Sequence, residues 1–204
     1  MSAFPDARFL TSANQPAQFL PDEGVEVAFA GRSNAGKSSA INAIVNRRQL
    51  ARTSKTPGRT QLINFFHLAP GQRLVDLPGY GYARVAPAVQ AHWRELLVAY
   101  FRKRRSLRGL FIAVDIRRSV GELDLQMLDW CRPLAVPVHV LLTKADKLKR
   151  GEKSRSFAHA VESAGGGATV QIFSAEDGEG VAEARERLLG MLRDPPVSKR
   201  RSAT

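Results

Sequence analysis

Cysteine is almost absent from this sequence, since Cys131 is its single example among 204 residues. One cysteine cannot form an internal disulfide, which agrees with a reducing compartment such as the cytoplasm. Cys131 ends the helical pattern Leu125–Cys131, so we expect a core or half-buried thiol and not a nucleophile.

Long hydrophobic runs are also missing. No apolar stretch approaches the roughly 18 residues that a membrane-spanning helix requires. The first six residues, MSAFPD, do not combine a basic segment with an apolar core, so no signal peptide is expected. These absences predict a cytoplasmic protein without stable membrane insertion.

Acidic residues are scarce relative to basic ones. The chain has 19 Asp and Glu against 31 Lys and Arg, which gives a net charge of +12 without an offsetting acidic block. This excess predicts a polyanionic partner such as RNA, DNA or an acidic membrane surface, although each single cluster is also typical of a solvated face. The clusters are Arg47, Arg48, Arg52, Lys55 and Arg59; Arg102–Arg105 with Arg108; Lys144–Arg155; and Lys199–Arg201.

Apolar, β-rich runs alternate with helical patterns along the chain. This alternation predicts an α/β fold with a mostly parallel six-stranded sheet, flanked by helices and containing one antiparallel strand. A short turn at Ala69–Gln72 should join the second and third strands as a hairpin. The clearest helix is Pro87–Arg105, with Trp93 and Tyr100 on its core face, and a further short strand is indicated near Arg8–Thr11. The six predicted strands are Val25–Ala30, Gln61–Leu68, Arg73–Val75, Leu110–Val114, Val138–Leu142 and Thr169–Phe173.

The segment Gly31–Ser39, GRSNAGKSS, fits the phosphate-loop pattern GxxxxGK[ST]. It lies between a predicted strand and the helical segment Ala40–Val45, which is the context that the pattern needs. In such a loop backbone N–H groups surround phosphate oxygens, Lys37 reaches the β- and γ-phosphates, and the Ser38 hydroxyl ligates Mg²⁺. A glycine-rich turn before an ordinary helix is the alternative, and the motifs that follow argue against it.

The segment Asp76–Gly79, DLPG, directly follows a predicted strand. Asp76 is positioned to hold Mg²⁺ through a water molecule, and the Gly79 N–H can approach a γ-phosphate because no side chain intervenes. Between the first helix and the second strand, the turn-rich loop Thr56–Thr60 is expected to be mobile. Its Thr60 would complete the Mg²⁺ ligands when GTP is bound.

Two further motifs indicate guanine recognition. The carboxylate of Asp146, in TKAD from Thr143, can accept hydrogen bonds from guanine N1–H and N2–H₂, whereas adenine would leave this charge unpaired. The Lys144 stem would cover the base, and Thr143, where many GTPases have Asn, would hydrogen-bond to the phosphate loop with a shorter reach. Backbone N–H groups of Phe173–Ala175 would contact guanine O6. All four strand-end motifs therefore meet at the carboxyl edge of one sheet.

With these motifs the chain resembles the TrmE-Era-EngA-EngB-septin group of GTPases and is most similar to the EngB (YsxC/YihA) family. The segments that carry the resemblance are GRSNAGKSSAINAI from Gly31, SKTPGRTQLINFF from Ser54, DLPGYGYA from Asp76 and TKAD from Thr143. The resemblance implies a Ras-like P-loop NTPase fold, a role in large ribosomal subunit assembly with ribosomal RNA as partner, and a link to cell division and septum formation. It divides the chain into an N-terminal extension (1–22), a GTPase domain (23–194) and a basic flexible tail (195–204).

The position after DxxG, where Ras-type enzymes have a water-orienting Gln, is Tyr80, so slow intrinsic hydrolysis is expected. Asn34 is a candidate K⁺ ligand, as in related potassium-activated GTPases, or it only caps the loop; equal turnover in KCl and NaCl would argue against K⁺. Lys37, Thr60 and Asn34 are the candidates for transition-state stabilisation, and Ser38, Thr60 and Asp76 those for Mg²⁺. The expected nucleotide-binding residues are Gly31, Arg32, Ser33, Asn34, Ala35, Gly36, Lys37, Ser38, Gly58, Arg59, Thr60, Gln61, Leu62, Asp76, Leu77, Pro78, Gly79, Thr143, Lys144, Ala145, Asp146, Phe173, Ser174 and Ala175.

The sequence supports one main functional hypothesis: a monomeric, GTP-controlled assembly factor that docks on pre-ribosomal RNA. The alternative is a septum- or membrane-associated interaction protein that uses the nucleotide as a structural switch. An RNA-modifying enzyme is disfavoured because the chain leaves no room for a separate catalytic domain.

Overall fold

A computed structural model of the chain describes residues 3–51, 62–81 and 87–193. Within them seven strands and five α-helices are found. The strands are β1 Arg8–Ala13, β2 Val25–Gly31, β3 Ile63–Ala69, β4 Gln72–Asp76, β5 Leu107–Asp115, β6 Val138–Thr143 and β7 Thr169–Ile172; the helices are α1 Lys37–Val45, α2 Pro87–Lys103, α3 Glu122–Cys131, α4 Arg150–Ala164 and α5 Val181–Arg193. The predictions for Arg52, Lys55, the loop from Thr56 to Gln61, and the tail lie outside the described residues.

The strands form one sheet in the order β1-β3-β4-β2-β5-β6-β7. All six predicted strands are present, and β3 is the antiparallel one, paired in opposite direction with both β1 and β4. The hairpin between β3 and β4 is confirmed. The leading strand extends to Ala13 and adds a seventh strand at the edge, with a β-bulge between Phe9 and Thr11. The remaining pairs are parallel, as crossovers of helix length require.

Helices cover both faces of the sheet, and each layer has its own apolar core. On one face α2 and α3 contribute Trp93, Tyr100 and Met127, which confirms the core positions expected for Trp93 and Tyr100; Cys131 is buried in the same cluster. On the other face α1 and α5 pack around Phe29 and its neighbours. All nine residues of β5 are buried, as expected for a central parallel strand covered on both sides. In the described residues no helix has the length and apolar character to cross a membrane.

A buried ionic network closes the edge of the sheet opposite to the predicted site. The Glu26 side chain is fully buried and accepts bonds from Arg104 Nη2 at 2.5 Å and the Tyr100 hydroxyl at 3.0 Å, while Arg73 Nε lies at 2.9 Å. Arg104 and Arg108 are each only 8% exposed. The basic cluster at residues 102–108 is therefore partly internal, so these two arginines do not contribute to a polyanion-binding face as the charge count alone would suggest.

Candidate functional site

The phosphate loop connects the end of β2 to the start of α1, as the motif predicts. Asn34 has φ of +65° and Gly36 has φ of +85°, and helix α1 begins directly afterwards at Lys37. Residues in the left-handed region turn consecutive backbone N–H groups toward one side, which creates an anion-binding concavity. Gly36 suits its position because this backbone conformation is strained for residues with a Cβ.

Lys37 and Asp76 are brought together by the fold although 39 residues separate them. The Lys37 ammonium forms an ion pair with Asp76 Oδ1, and the two side chains are 11% and 9% exposed. In a nucleotide complex, phosphate would replace Asp76 as the anionic partner of Lys37. A divalent cation would replace Lys37 as the cationic partner of Asp76. The oxygen ligands that Asp76 and Ser38 offer, completed by phosphate and water, fit Mg²⁺. Among residues 3–51, 62–81 and 87–193, no group of three or more His, Cys, Asp or Glu side chains could hold a metal ion by itself.

The segment after β4 continues alongside the phosphate loop. Leu77 N–H donates to Phe29 O at 2.9 Å, Tyr80 N–H donates to Gly31 O at 3.3 Å, and Ser33 N–H donates to Tyr80 O at 2.9 Å. A Cβ on Gly79 would lie 3.2–3.4 Å from atoms of Ser33. Glycine therefore permits the close approach of Gly79 to the phosphate loop.

Thr143 joins the base-recognition segment to the phosphate loop. Its hydroxyl lies 2.5 Å from Ala35 O and 3.1 Å from Val114 O, and the residue is 2% exposed. This confirms the hydrogen bond that the sequence predicts for threonine at this position. A Cβ at position 36 would lie 3.4 Å from Thr143 Oγ1, so the Thr143 side chain packs directly against the phosphate loop.

Asp146 lies at a cleft with a volume of about 150 Å³ at the ends of β6 and β7. Ser174 Oγ donates to Asp146 Oδ1 at 2.9 Å, and Lys147 Nζ lies 2.7 Å from Oδ2. The Lys147 ammonium holds the pKa of the Asp146 carboxyl below its ordinary value, so the acceptor stays ionised. The cleft is lined by Gly36, Ser39, Thr143, Lys144, Asp146, Lys147, Phe173, Ala175 and Glu176.

Backbone hydrogen bonds fix the two base-recognition segments relative to each other. Ala145 N–H donates to Phe173 O at 3.2 Å, and Phe173 N–H donates to Leu142 O at 2.9 Å. The sequence indicated the backbone N–H groups of Phe173–Ala175 as donors to guanine O6. This prediction is wrong for two of the three residues, because the Phe173 N–H donates to Leu142 O and the Ser174 N–H donates to Glu179 O at 2.9 Å; the Ala175 N–H remains the candidate for that contact. The buried side chain of Ser174 orients Asp146, a role that no local pattern shows.

Asp115 is a site residue that sequence reasoning missed. It ends β5 and is 5% exposed. Arg117 binds it through Nε at 2.9 Å and Nη2 at 2.7 Å, and Lys144 Nζ lies 2.9 Å from Oδ2. The Arg117 guanidinium, with Lys144, holds the pKa of Asp115 well below its usual range. Lys144 also donates to Asn34 O at 2.6 Å, so Asp115 helps to hold Lys144 between the base and phosphate loops. The sequence feature that could have indicated Asp115 is its position directly after the predicted strand Leu110–Val114.

We expect Asp115→Asn to weaken GDP binding by about tenfold, because Lys144 loses a charge-assisted partner while the backbone stays in place. Titration with a fluorescent GDP derivative measures this change. Asp129→Asn is the matched control, since its ion pair with Arg132 is exposed on both sides. Equal GDP affinity of the Asp115 variant and the wild type would contradict this role for Asp115.

Comparison with known proteins agrees with this geometry. Residues 26–144 match a family described as 50S ribosome-binding GTPase. The chain is 47% identical to the "Probable GTP-binding protein EngB" of Coxiella burnetii (strain CbuG_Q212) over 95% of this chain and 96% of the relative. It is 52% identical to the protein of the same description from Nitrosococcus oceani, over 92% and 95% of the two chains.

Solved structures share the fold. A crystal structure of a probable GTP-binding protein EngB has a TM-score of 0.64 at 22% identity and covers 84% of this chain and 100% of its own. Era, solved with MgGDPNP and nucleotides 1506–1542 of 16S ribosomal RNA, has a TM-score of 0.62 at 17% identity, with 85% and 58% covered. The family match and the close relatives together establish that this chain is a GTPase that belongs to the EngB family of GTP-binding proteins.

Proposed function

We propose that this GTPase is a nucleotide-controlled factor in the assembly of the large ribosomal subunit. The observation that carries the proposal is the match to a family described as 50S ribosome-binding GTPases. The net charge of +12 supports an RNA partner, because neutralised phosphates release counterions and favour association. The proposal includes a monomer in the cytoplasm, with residues 23–194 as its GTPase domain and residues 195–204 as a basic tail.

In the proposed complex, residues 31–38 of the phosphate loop surround the phosphates and Lys37 neutralises their charge. Ser38 and Thr60 would ligate Mg²⁺ directly, and Asp76 would do so through water. A Mg²⁺ ion held by these residues would supply positive charge that stabilises the negative charge developing on the phosphate oxygens. Asp146 selects guanine, Lys144 covers the base, and Ser174 orients the Asp146 carboxylate.

Hydrolysis without a partner should be slow. The Tyr80 hydroxyl is hydrogen-bonded to Asp124 at 2.5 Å and the residue is 3% exposed, so this side chain is not available to orient the attacking water. Additional positive charge at the transition state would come from K⁺ next to Asn34 or from the ribosome. Asn34 is exposed, and its carbonyl, which accepts from Lys144, fixes this part of the loop beside the cleft.

The test is sedimentation of the purified protein with large ribosomal subunits in GDPNP and in GDP, at two salt concentrations. Binding in GDPNP that weakens in GDP and falls with salt is expected. Binding to anionic liposomes is measured in parallel, because the alternative function is that of a septum- or membrane-associated protein. The family resemblance is the only support for that alternative. Binding to liposomes without binding to subunits in any nucleotide state would reject the ribosomal role and favour the membrane-associated alternative.

A further inference from the structure

Tyr80 occupies two environments at once. Its backbone is bonded to Gly31 and Ser33 of the phosphate loop, next to Gly79. Its side chain is directed into the core beneath α2 and α3, where the ring lies 6.0 Å from that of Trp93. The residue therefore connects the backbone around Gly79 to the helical layer.

The partner of the Tyr80 hydroxyl is a buried carboxylate. Asp124 is 1% exposed, and its Oδ1 accepts from Tyr80 at 2.5 Å while Oδ2 accepts from Gly121 N–H at 2.8 Å. Asp124 occupies the third position of α3, where the helix N-terminus favours negative charge. The bond to Gly121 caps α3, but it leaves one oxygen that Tyr80 satisfies across 44 residues of sequence.

Arg32 of the phosphate loop also lies close to the Asp124 carboxyl and affects its ionisation. Burial raises the pKa of the Asp124 carboxyl, and the Tyr80 hydroxyl, the Gly121 N–H and Arg32 act in the opposite direction. Arg32 belongs to the phosphate loop and lies beside Gly81 and Gly121: its Nε would be 3.1 Å from a Cβ on Gly81, and its Nη1 3.4 Å from a Cβ on Gly121. The loop, the segment after β4 and the start of α3 therefore meet at one small cluster.

We propose that the Tyr80–Asp124 hydrogen bond is a latch that holds Gly79 against the phosphate loop and makes Tyr80 a positioning residue for recognition of the γ-phosphate. This proposal rests on the proposed function, in which the Gly79 N–H contacts that phosphate. The hydroxyl of Tyr80 acts through its own backbone and does not touch the nucleotide.

The latch should affect GTP and GDP differently. A binding-competent conformation that is only partly populated reduces affinity in proportion to its population. GTP carries the γ-phosphate that Gly79 would contact, whereas GDP does not. Loss of the latch should therefore weaken binding of a GTP analogue and leave GDP binding nearly unchanged.

The first test is Tyr80→Phe, which removes the hydroxyl and keeps the buried ring. We expect its affinity for GDPNP to fall about tenfold and its affinity for GDP to change less than twofold. Tyr100→Phe is the matched control: this tyrosine is also buried and donates to a buried carboxylate, Glu26, at the opposite edge of the sheet. It should lower the melting temperature without changing the ratio of the two affinities.

Trp93 supplies a spectroscopic readout of the latch. The chain has two tryptophans, Trp93 and Trp130, so Trp130→Phe leaves Trp93 as the single indole fluorophore. In that background the emission of Trp93 should differ between the GDPNP and GDP complexes, because Tyr80 packs beside it. The difference should shrink when Tyr80→Phe is added, and it should persist with Tyr100→Phe.

Asp124→Asn is the second variant, since it replaces one of the two accepting oxygens with an N–H₂ group, so that Tyr80 and the Gly121 N–H can no longer both donate to this side chain. Combined with Tyr80→Phe it should weaken GDPNP binding by less than the product of the two single effects. Equal losses for GDP and GDPNP in Tyr80→Phe, no loss, or tighter GDPNP binding would overturn the latch alone. Wild-type protein that responds identically to GDP and GDPNP would overturn the proposed switch, and the latch with it.

Discussion

Lys37→Ala is expected to reduce GTP turnover at saturating nucleotide by at least about a hundredfold. The variant removes the ammonium that would neutralise the β- and γ-phosphates as charge develops. It also removes the ion-pair partner of Asp76, which is 7% exposed. The Asp76 carboxylate, without its ammonium partner, would then repel the phosphates and further oppose nucleotide binding.

Phosphate release measured across a GTP titration separates the effects of this change on kcat and on KM. Lys149→Ala is the control, because Lys149 is exposed and lies outside the phosphate loop. A Lys37→Ala enzyme with the turnover of the wild type would show that this lysine does not act on the phosphates. The melting temperatures of both variants establish that the comparison is between folded proteins.

Asp146→Asn is expected to weaken GTP binding by about a thousandfold and to create affinity for xanthosine triphosphate. Guanine presents N1–H and N2–H₂ to two carboxylate oxygens, so the amide N–H₂ of asparagine would face another donor. Xanthine carries a carbonyl in place of the 2-amino group and therefore restores a complementary pair with asparagine. Ser174 can still donate to the asparagine oxygen, so the side chain keeps its orientation.

Competition titrations with GTP, ATP and xanthosine triphosphate measure this exchange of specificity. Asp129→Asn is the matched control, because this aspartate lies outside the cleft and its ion pair with Arg132 is exposed on both sides. If Asp146→Asn bound GTP and ATP as the wild type does, base selection would have to lie elsewhere in the cleft.

Sequence patterns predicted the parts of the site that are local. The phosphate loop, DLPG and TKAD each occupy a few consecutive residues at a strand end, so their shared edge follows from a parallel sheet. The presence of Thr143, where many GTPases have Asn, was also interpretable from the sequence. A threonine hydroxyl can make the hydrogen bond to Ala35 O that the structure contains.

The contacts that orient these motifs were not predictable from the sequence. Asp115 and Lys144 meet because β5 and β6 are paired in register, with Asp115 opposite Thr143. Tyr80 and Asp124 meet only when α3 packs on the sheet. Asp124 also explains why α3 begins at Glu122, before the apolar pattern from Leu125, since its carboxylate caps the helix. Such pairs depend on tertiary geometry and leave no periodic signal.

The bounds of the edge strand β1 were also only partly predictable from the sequence. The pattern near Arg8–Thr11 was short, and much of β1 is exposed, with Phe9 53% exposed. Pairing with β3 extends it to Ala13, because the backbone of an edge strand is stabilised by its neighbour and not by burial of alternate side chains.

The most direct test of a nucleotide-controlled assembly factor combines the altered specificity with ribosome binding. Asp146→Asn protein is sedimented with large ribosomal subunits in the presence of the β,γ-imido analogue of either xanthosine triphosphate or GTP. Both analogues are used at the concentration at which GDPNP saturates the wild-type protein. The account predicts subunit binding with the xanthosine analogue and loss of binding with the guanosine analogue. Equal binding in both, or in neither while the xanthosine analogue demonstrably occupies the site, would contradict control of docking by the nucleotide.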